Sequence, residues 1–154
     1  MIPWIIGYSG GKDSTAVTQL VWYALQELPK DKLKKTVHVI STDTLVESPV
    51  VAIWASESLR KMATKAKEDE LPIIPHRLTP AITNTFWVNL IGRGYPYPRR
   101  DFRWCTDRMK IDCSNRFIKS ILDAESEAIM VLGSRKAESA VRKAVLEGYE
   151  KKRY

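Results

Sequence analysis

The sequence predicts an α/β fold, an open sheet of parallel strands with crossover helices. Two observations carry that expectation. Four short apolar or β-branched runs (Trp4 to Tyr8, Val37 to Thr42, Ile73 to Leu78 and Ala128 to Leu132) alternate with stretches of helical periodicity. A glycine-rich loop, Ser9-Gly10-Gly11-Lys12-Asp13-Ser14, falls between the first strand and the first helix.

The first helix is expected from about Ser14 to Leu28, where Ala16, Leu20, Tyr23 and Leu28 recur at helical spacing before Pro29. A second opens at Ser48, a good N-cap, with Pro49 at the first helical position, and runs to Glu68-Asp69-Glu70 before Pro72. A basic insertion at about 80–124 separates the third and fourth strands. It is expected to hold a helix near Ala81 to Ile91, a Gly/Pro loop from Gly92 to Pro98 and a helix near Ser114 to Leu122. A charged helix should run from about Ala137. The end on Lys151-Lys152-Arg153-Tyr154 reads as a cut in a longer protein.

The 154 residues fit one domain, 1–154. With 44% hydrophobic and 28% charged residues, and no apolar run near the roughly 20 residues a membrane helix needs, a soluble globular protein is expected. The first residues lack a signal-peptide pattern, so the expected location is cytoplasmic. Two cysteines, Cys105 and Cys113, make no disulfide framework. The net charge of +7 is uneven: residues 1–92 hold ten Lys/Arg against nine Asp/Glu, residues 93–154 fifteen against nine. The excess suits a polyanion such as nucleic acid, or serves solubility alone.

A loop between strand and helix offers free N–H groups and the positive helix end to a phosphate. Gly10 and Gly11 let the backbone approach the anion, Lys12 adds charge, and the Ser9 and Ser14 hydroxyls can donate. Asp13 follows the lysine and Ile6 stands where a Walker A loop has its first glycine, so the loop is not of that type. After the fourth strand, Leu132-Gly133-Ser134-Arg135-Lys136-Ala137-Glu138-Ser139 with Arg142 makes a second anion-binding candidate, Arg135 supplying a bidentate guanidinium; a surface helix start with solvated charges is the other reading. After the second strand, Asp43 is placed to hold Mg²⁺, and Glu47 is either a further carboxylate or helix-terminus charge.

The S-G-G-K-D-S string closely resembles the PP-loop of the ATP pyrophosphatase families. The resemblance implies the adenine nucleotide alpha-hydrolase-like (Rossmann-like) fold, sheet order 3-2-1-4 with helices on both faces, and attack on the α-phosphate of ATP with pyrophosphate leaving from the loop. Lys12 and Asp13 are the catalytic candidates there. Gly133, Arg135, Glu138, Ser139 and Arg142 resemble the G-x-R-x-x-E-S-x-x-R signature of the PAPS reductase branch, which also carries an Asp-Thr pair followed by Glu at the position of Asp43, Thr44 and Glu47.

In the insertion, Arg99, Arg100, Arg103 and Arg108 interleave with Tyr95, Tyr97, Phe102 and Trp104, as in a nucleic-acid groove, although a solvated loop would also be basic. Together with Thr42-Asp43-Thr44-Leu45-Val46-Glu47 and Phe86-Trp87-Val88-Asn89-Leu90-Ile91-Gly92, the Phe102-Arg103-Trp104-Cys105-Thr106 string resembles DndC, the PP-loop sulfurtransferase family of DNA phosphorothioation, and the likeness spans almost the whole chain. It implies adenylation of a DNA backbone phosphate by ATP so that sulfur replaces a non-bridging oxygen. Partners by that resemblance are DNA, a cysteine desulfurase as sulfur donor and other DNA-modification proteins. The family's iron-sulfur cluster typically takes four thiolates, so it requires cysteines absent from this chain. Cys105, at the family's Trp-Cys-Thr position, is a ligand, a sulfur-handling thiol or a structural cysteine; Cys113 is incidental. Two other readings stand beside this one: a PAPS or adenylyl-sulfate reductase-like enzyme, whose C-terminal cysteine tail is missing, and a catalytically silent nucleotide-binding module in a DNA-modification complex.

Overall fold

In a computed structural model, which describes residues 2–99, 101–122, 127–135, 137 and 140–151, four parallel strands form one sheet in the order β3-β2-β1-β4. They are β1 (Trp4–Gly7), β2 (Val37–Thr42), β3 (Ile73–Leu78) and β4 (Ile129–Val131). The helices are α1 (Lys12–Gln26), α2 (Pro49–Glu68), α3 (Asp112–Ile121) and α4 (Ala140–Lys151). The expected fold class, strand order and α/β alternation are therefore present.

Right-handed crossovers explain the layering. From β1 to β3 the chain steps twice in one direction, so α1 and α2 fall on the same face. There Ile6, Val37, Val39 and Ile73, on alternate strand positions, pack with Leu59, Ala66 and Leu71. Val17, Val21, Trp22 and Leu25 of α1 close that layer. Burying each such aliphatic side chain stabilises the fold by about 1.5–3 kcal/mol. Between β3 and β4 the direction reverses, which puts α3 on the other face, with Phe117 against His38 and His76.

Asp69, just past α2, ties the two helices of the first layer together. Its carboxylate accepts from Trp22 Nε1 at 3.2 Å and Gln26 Nε2 at 2.9 Å, and Lys65 Nζ lies 2.8 Å away. Among the described residues no helix is long and apolar enough to cross a membrane.

The insertion departs from expectation. The segment from Ala81 to Ile91 is not one α-helix: a 3-10 turn at Ile82–Asn84 is cut off by Thr85 in extended backbone (ψ 160°), and a π-helical stretch follows at Val88–Gly92. β-branched Ile82, Thr83 and Thr85 disfavour a continuous helix, and the Thr85 hydroxyl bonds the Ile82 carbonyl at 3.3 Å instead. The next helix starts before Ser114, as a π-helical turn over Thr106–Ile111 runs directly into α3. The first helix begins and ends about two residues earlier than its apolar pattern suggests, because the loop glycines already lead into it.

Candidate nucleotide site

The loop after β1 closes on itself before α1 begins. Ser14 Oγ donates to the Gly11 carbonyl at 2.9 Å, accepts from Ser9 N at 3.3 Å and stands 3.2 Å from Ser9 Oγ. Gly10 sits at φ +76°, in the left-handed region. A β-carbon there would overlap Trp54 Cζ3 and lie 3.0 Å from its Cε3, so the indole of α2 rests on the glycine turn. The N–H groups of Lys12, Asp13 and Ser14 open α1 and have no intrahelical carbonyl to bond, which leaves them for an anion. Lys12 is exposed at this helix start.

The loop after β4 lies directly against this helix start. Parallel pairing of β1 and β4 (Ile6 with Val131) brings both loops to the reversal point of the sheet. Gly133 approaches so closely that a β-carbon there would be 2.6 Å from the Asp13 carbonyl oxygen. Arg135 Nε bonds Asp13 Oδ1 at 2.8 Å, and Arg142 Nη1 lies 3.5 Å from Ser134 Oγ. The two loops thus bring Ser9, Gly10, Gly11, Lys12, Asp13, Ser14, Gly133, Arg135 and Arg142 near one another. Glu138 and Ser139 lie outside the described residues.

Beyond the strand ends opens a crevice of about 750 Å³, within the size range of small-molecule sites. Tyr8 and Ser9 line it from the β1 side, Gly133, Ser134 and Arg142 from the β4 side, and Asp43 and Glu47 from the β2 turn. Lys110, Ile111, Ser114 and Asn115 form its insertion wall.

Asp43 Oδ1 accepts from Leu45 N at 2.8 Å and Oδ2 pairs with Arg77. Burial alone would raise this carboxyl's pKa, but the Arg77 hydrogen bond, the Leu45 N–H and the Arg77 charge together hold it below the usual carboxylate range. Glu47 faces Lys110 Nζ at 4.0 Å across the crevice. The two carboxylates are hard oxygen donors of the kind Mg²⁺ takes, and each faces a cation here, Asp43 with Arg77 and Glu47 with Lys110. No cluster of three or more His, Cys, Asp or Glu suited to a metal stands among the described residues.

Sequence reasoning missed Arg77 and Trp54. Arg77 was within reach, since the paired strands put Ser41 beside Arg77 and so bring the Arg77 side chain to the strand end that carries Asp43. Trp54 carried no signal, because nothing in its spacing distinguishes it from its exposed neighbours Val50 and Ile53.

In the insertion, several residues expected to face nucleic acid are used for packing. Trp104 is 6% exposed, donates from Nε1 to the Pro96 carbonyl at 2.9 Å and stacks on Phe86 at 5.4 Å. Arg108 lies over the Tyr95 ring, and its Nη2 donates to Tyr95 Oη at 2.6 Å. Arg99 and Arg103 remain exposed beside Tyr97 and Phe102, while Arg100 lies outside the described residues. Cys105 is half-buried and is not among the residues lining the crevice. Cys113 is buried on α3, its Sγ 3.6 Å from Arg116 Nη2, a packing position. Two cysteines do not fit a cluster held by this chain alone.

Neither a protein-family model nor a solved structure matches the chain. An uncharacterised protein of Methanocaldococcus jannaschii is 28% identical over 137 residues, which is 89% of this chain. The match covers 24% of that relative, so the chain spans about a quarter of its length.

Proposed function

We propose that this chain is the nucleotide-binding domain of an ATP pyrophosphatase, and that it binds ATP with the β- and γ-phosphates on the Ser9–Ser14 loop. The observation that carries the reading is the meeting of the two loops, with Gly133 against the Asp13 carbonyl and Arg135 on the Asp13 carboxylate. Free helix N–H groups, Lys12 and Arg135 would then flank the phosphates, beside a crevice of nucleotide size that Ser9, Gly133 and Arg142 line. Arg135 would exchange its Asp13 partner for a phosphate oxygen. Asp43 and Glu47 would hold Mg²⁺, which supplies charge neutralisation at the phosphates.

With the pyrophosphate end gripped, the α-phosphorus is left toward the crevice. An acceptor oxygen attacking there forms an adenylate and expels pyrophosphate. Following the resemblance to the DndC family, the acceptor is a DNA backbone phosphate, whose oxygen becomes replaceable by sulfur once AMP is its leaving group. The exposed Arg99 and Arg103 and the crevice residue Lys110 support a polyanionic acceptor on the insertion side.

Product chromatography tests the bond: AMP and pyrophosphate are expected, and ADP as the main product would overturn the reading. Lys12→Ala, Ser14→Ala and Arg135→Ala should each weaken ATP binding in calorimetry, and unchanged affinity in all of them would place the nucleotide elsewhere.

A further inference from the structure

A second concavity, of about 770 Å³, lies at the opposite end of the sheet from the crevice. Its floor includes Trp4 and Val37, the first residues of β1 and β2, and it shares no lining residue with the crevice. One wall is α1 and the turn after it, with Leu20, Ala24 and Leu28 at four-residue spacing, a stripe roughly 12 Å long. Leu20 is 68% and Leu28 43% exposed, so this stripe faces water. The other wall is the segment 31–35, which brings three lysines, Lys32, Lys34 and Lys35, and one carboxylate, Asp31, to the groove. Neighbouring Lys30 is paired with Glu70, but no carboxylate pairs with these three lysines among the described residues. The buried Trp4 indole N–H in the floor has no acceptor.

We propose that this groove docks an amphipathic helix of a partner protein, its apolar stripe on Leu20, Ala24 and Leu28 and an acidic flank along Lys32, Lys34 and Lys35. A wall that follows one helix face for two turns suits a second helix, which reads such anchors at i and i+4. The unpaired lysines specify the sign of its charge. A partner held here leaves the crevice at the other end open. The inference stands apart from any reading of the crevice.

Two synthetic amphipathic helices test it, with identical leucine stripes and either Glu or Lys flanks, titrated into the isotope-labelled chain by NMR. The acidic peptide should bind, with shifts confined to residues 20–37. Lys34→Glu combined with Lys35→Glu should weaken it by about ten-fold or more and favour the basic peptide instead. Both lysines are exposed, so the fold survives the change. Equal binding of both peptides, no binding of either, or no effect of the charge reversal overturns the proposal. Self-association abolished by Leu20→Glu would make the occupant a second copy, and tighter binding of decanoate than of the acidic peptide would make it a small amphiphile; either result overturns the helix.

Discussion

Gly133 lies against the backbone of Asp13: a β-carbon at Gly133 would be 2.6 Å from the Asp13 oxygen and 3.0 Å from Ser14 N. The obstacle is backbone at the first turn of α1, which cannot swing aside as a side chain would. Gly133→Ala must therefore push the β4 loop off the helix start, and Arg135 with it. ATP affinity should fall by about ten-fold or more in calorimetry, with a lower melting temperature. Gly148→Ala is the control. It lies on α4, where the added carbon meets no other element within 4 Å among the described residues, and should stabilise by about 0.5–1 kcal/mol with ATP binding intact.

Trp54 against Gly10 gives the Ser9–Ser14 loop an optical reporter. A side chain at Gly10 meets both the indole and a left-handed backbone, which alone costs roughly 1–2 kcal/mol. Gly10→Ala should abolish ATP binding, and adding Trp54→Ala should restore only part of it, because the backbone strain remains. ATP should change the protein's tryptophan emission, and Trp54→Phe should remove most of that change. An emission change that survives in Trp54→Phe would put the responding tryptophan elsewhere.

His38 and His76 face each other on β2 and β3, Nδ1 to Nε2 at 2.9 Å, beneath Phe117. Burial lowers the pKa of His38; burial and then the charge of His38 lower that of His76. A lowered pKa means that the unfolded chain binds protons more readily than the folded one. The stability this pair contributes is thus present above the ordinary histidine pKa of 6.5 and is lost as the pH falls below it. Urea unfolding should show a midpoint that drops between about pH 7 and pH 5, and His76→Phe should flatten that dependence. The lowered carboxyl of Asp43 acts in a separate window, below its ordinary 3.8.

The fold was legible because its determinants are local: β-branched runs, a proline at the first position of α2, glycines before α1. The meeting of the two loops was legible too, since parallel strands carry the loops that follow them to one end of the sheet and β1 lies beside β4. The insertion was not, because its structure depends on contacts that no period encodes. Asn89 is fully buried and takes the Arg93 guanidinium at 3.0 Å, and Trp104 finds an acceptor at Pro96. Alternating cations and aromatics describe a nucleic-acid groove and a small packed cage equally well, and only packing separates them.

That separation makes a prediction about the arginines. Arg99 and Arg103 are exposed, whereas Arg108 is spent on Tyr95 and Asn84. If the insertion carries DNA to the crevice, binding should weaken with salt at a log-log slope of about −0.9 per duplex phosphate neutralised. Arg99→Ala with Arg103→Ala should flatten that slope by up to about two units and leave ATP affinity and melting temperature unchanged. Arg108→Ala should do the reverse. It removes a guanidinium packed on the Tyr95 ring and bonded to its hydroxyl, so the melting temperature should fall while the salt slope per bound molecule stays as it was. Filter binding across a salt series, with a melt of each variant, checks both. A slope flattened by Arg108→Ala and untouched by the double change would move the DNA path from the exposed arginines to the packed cage.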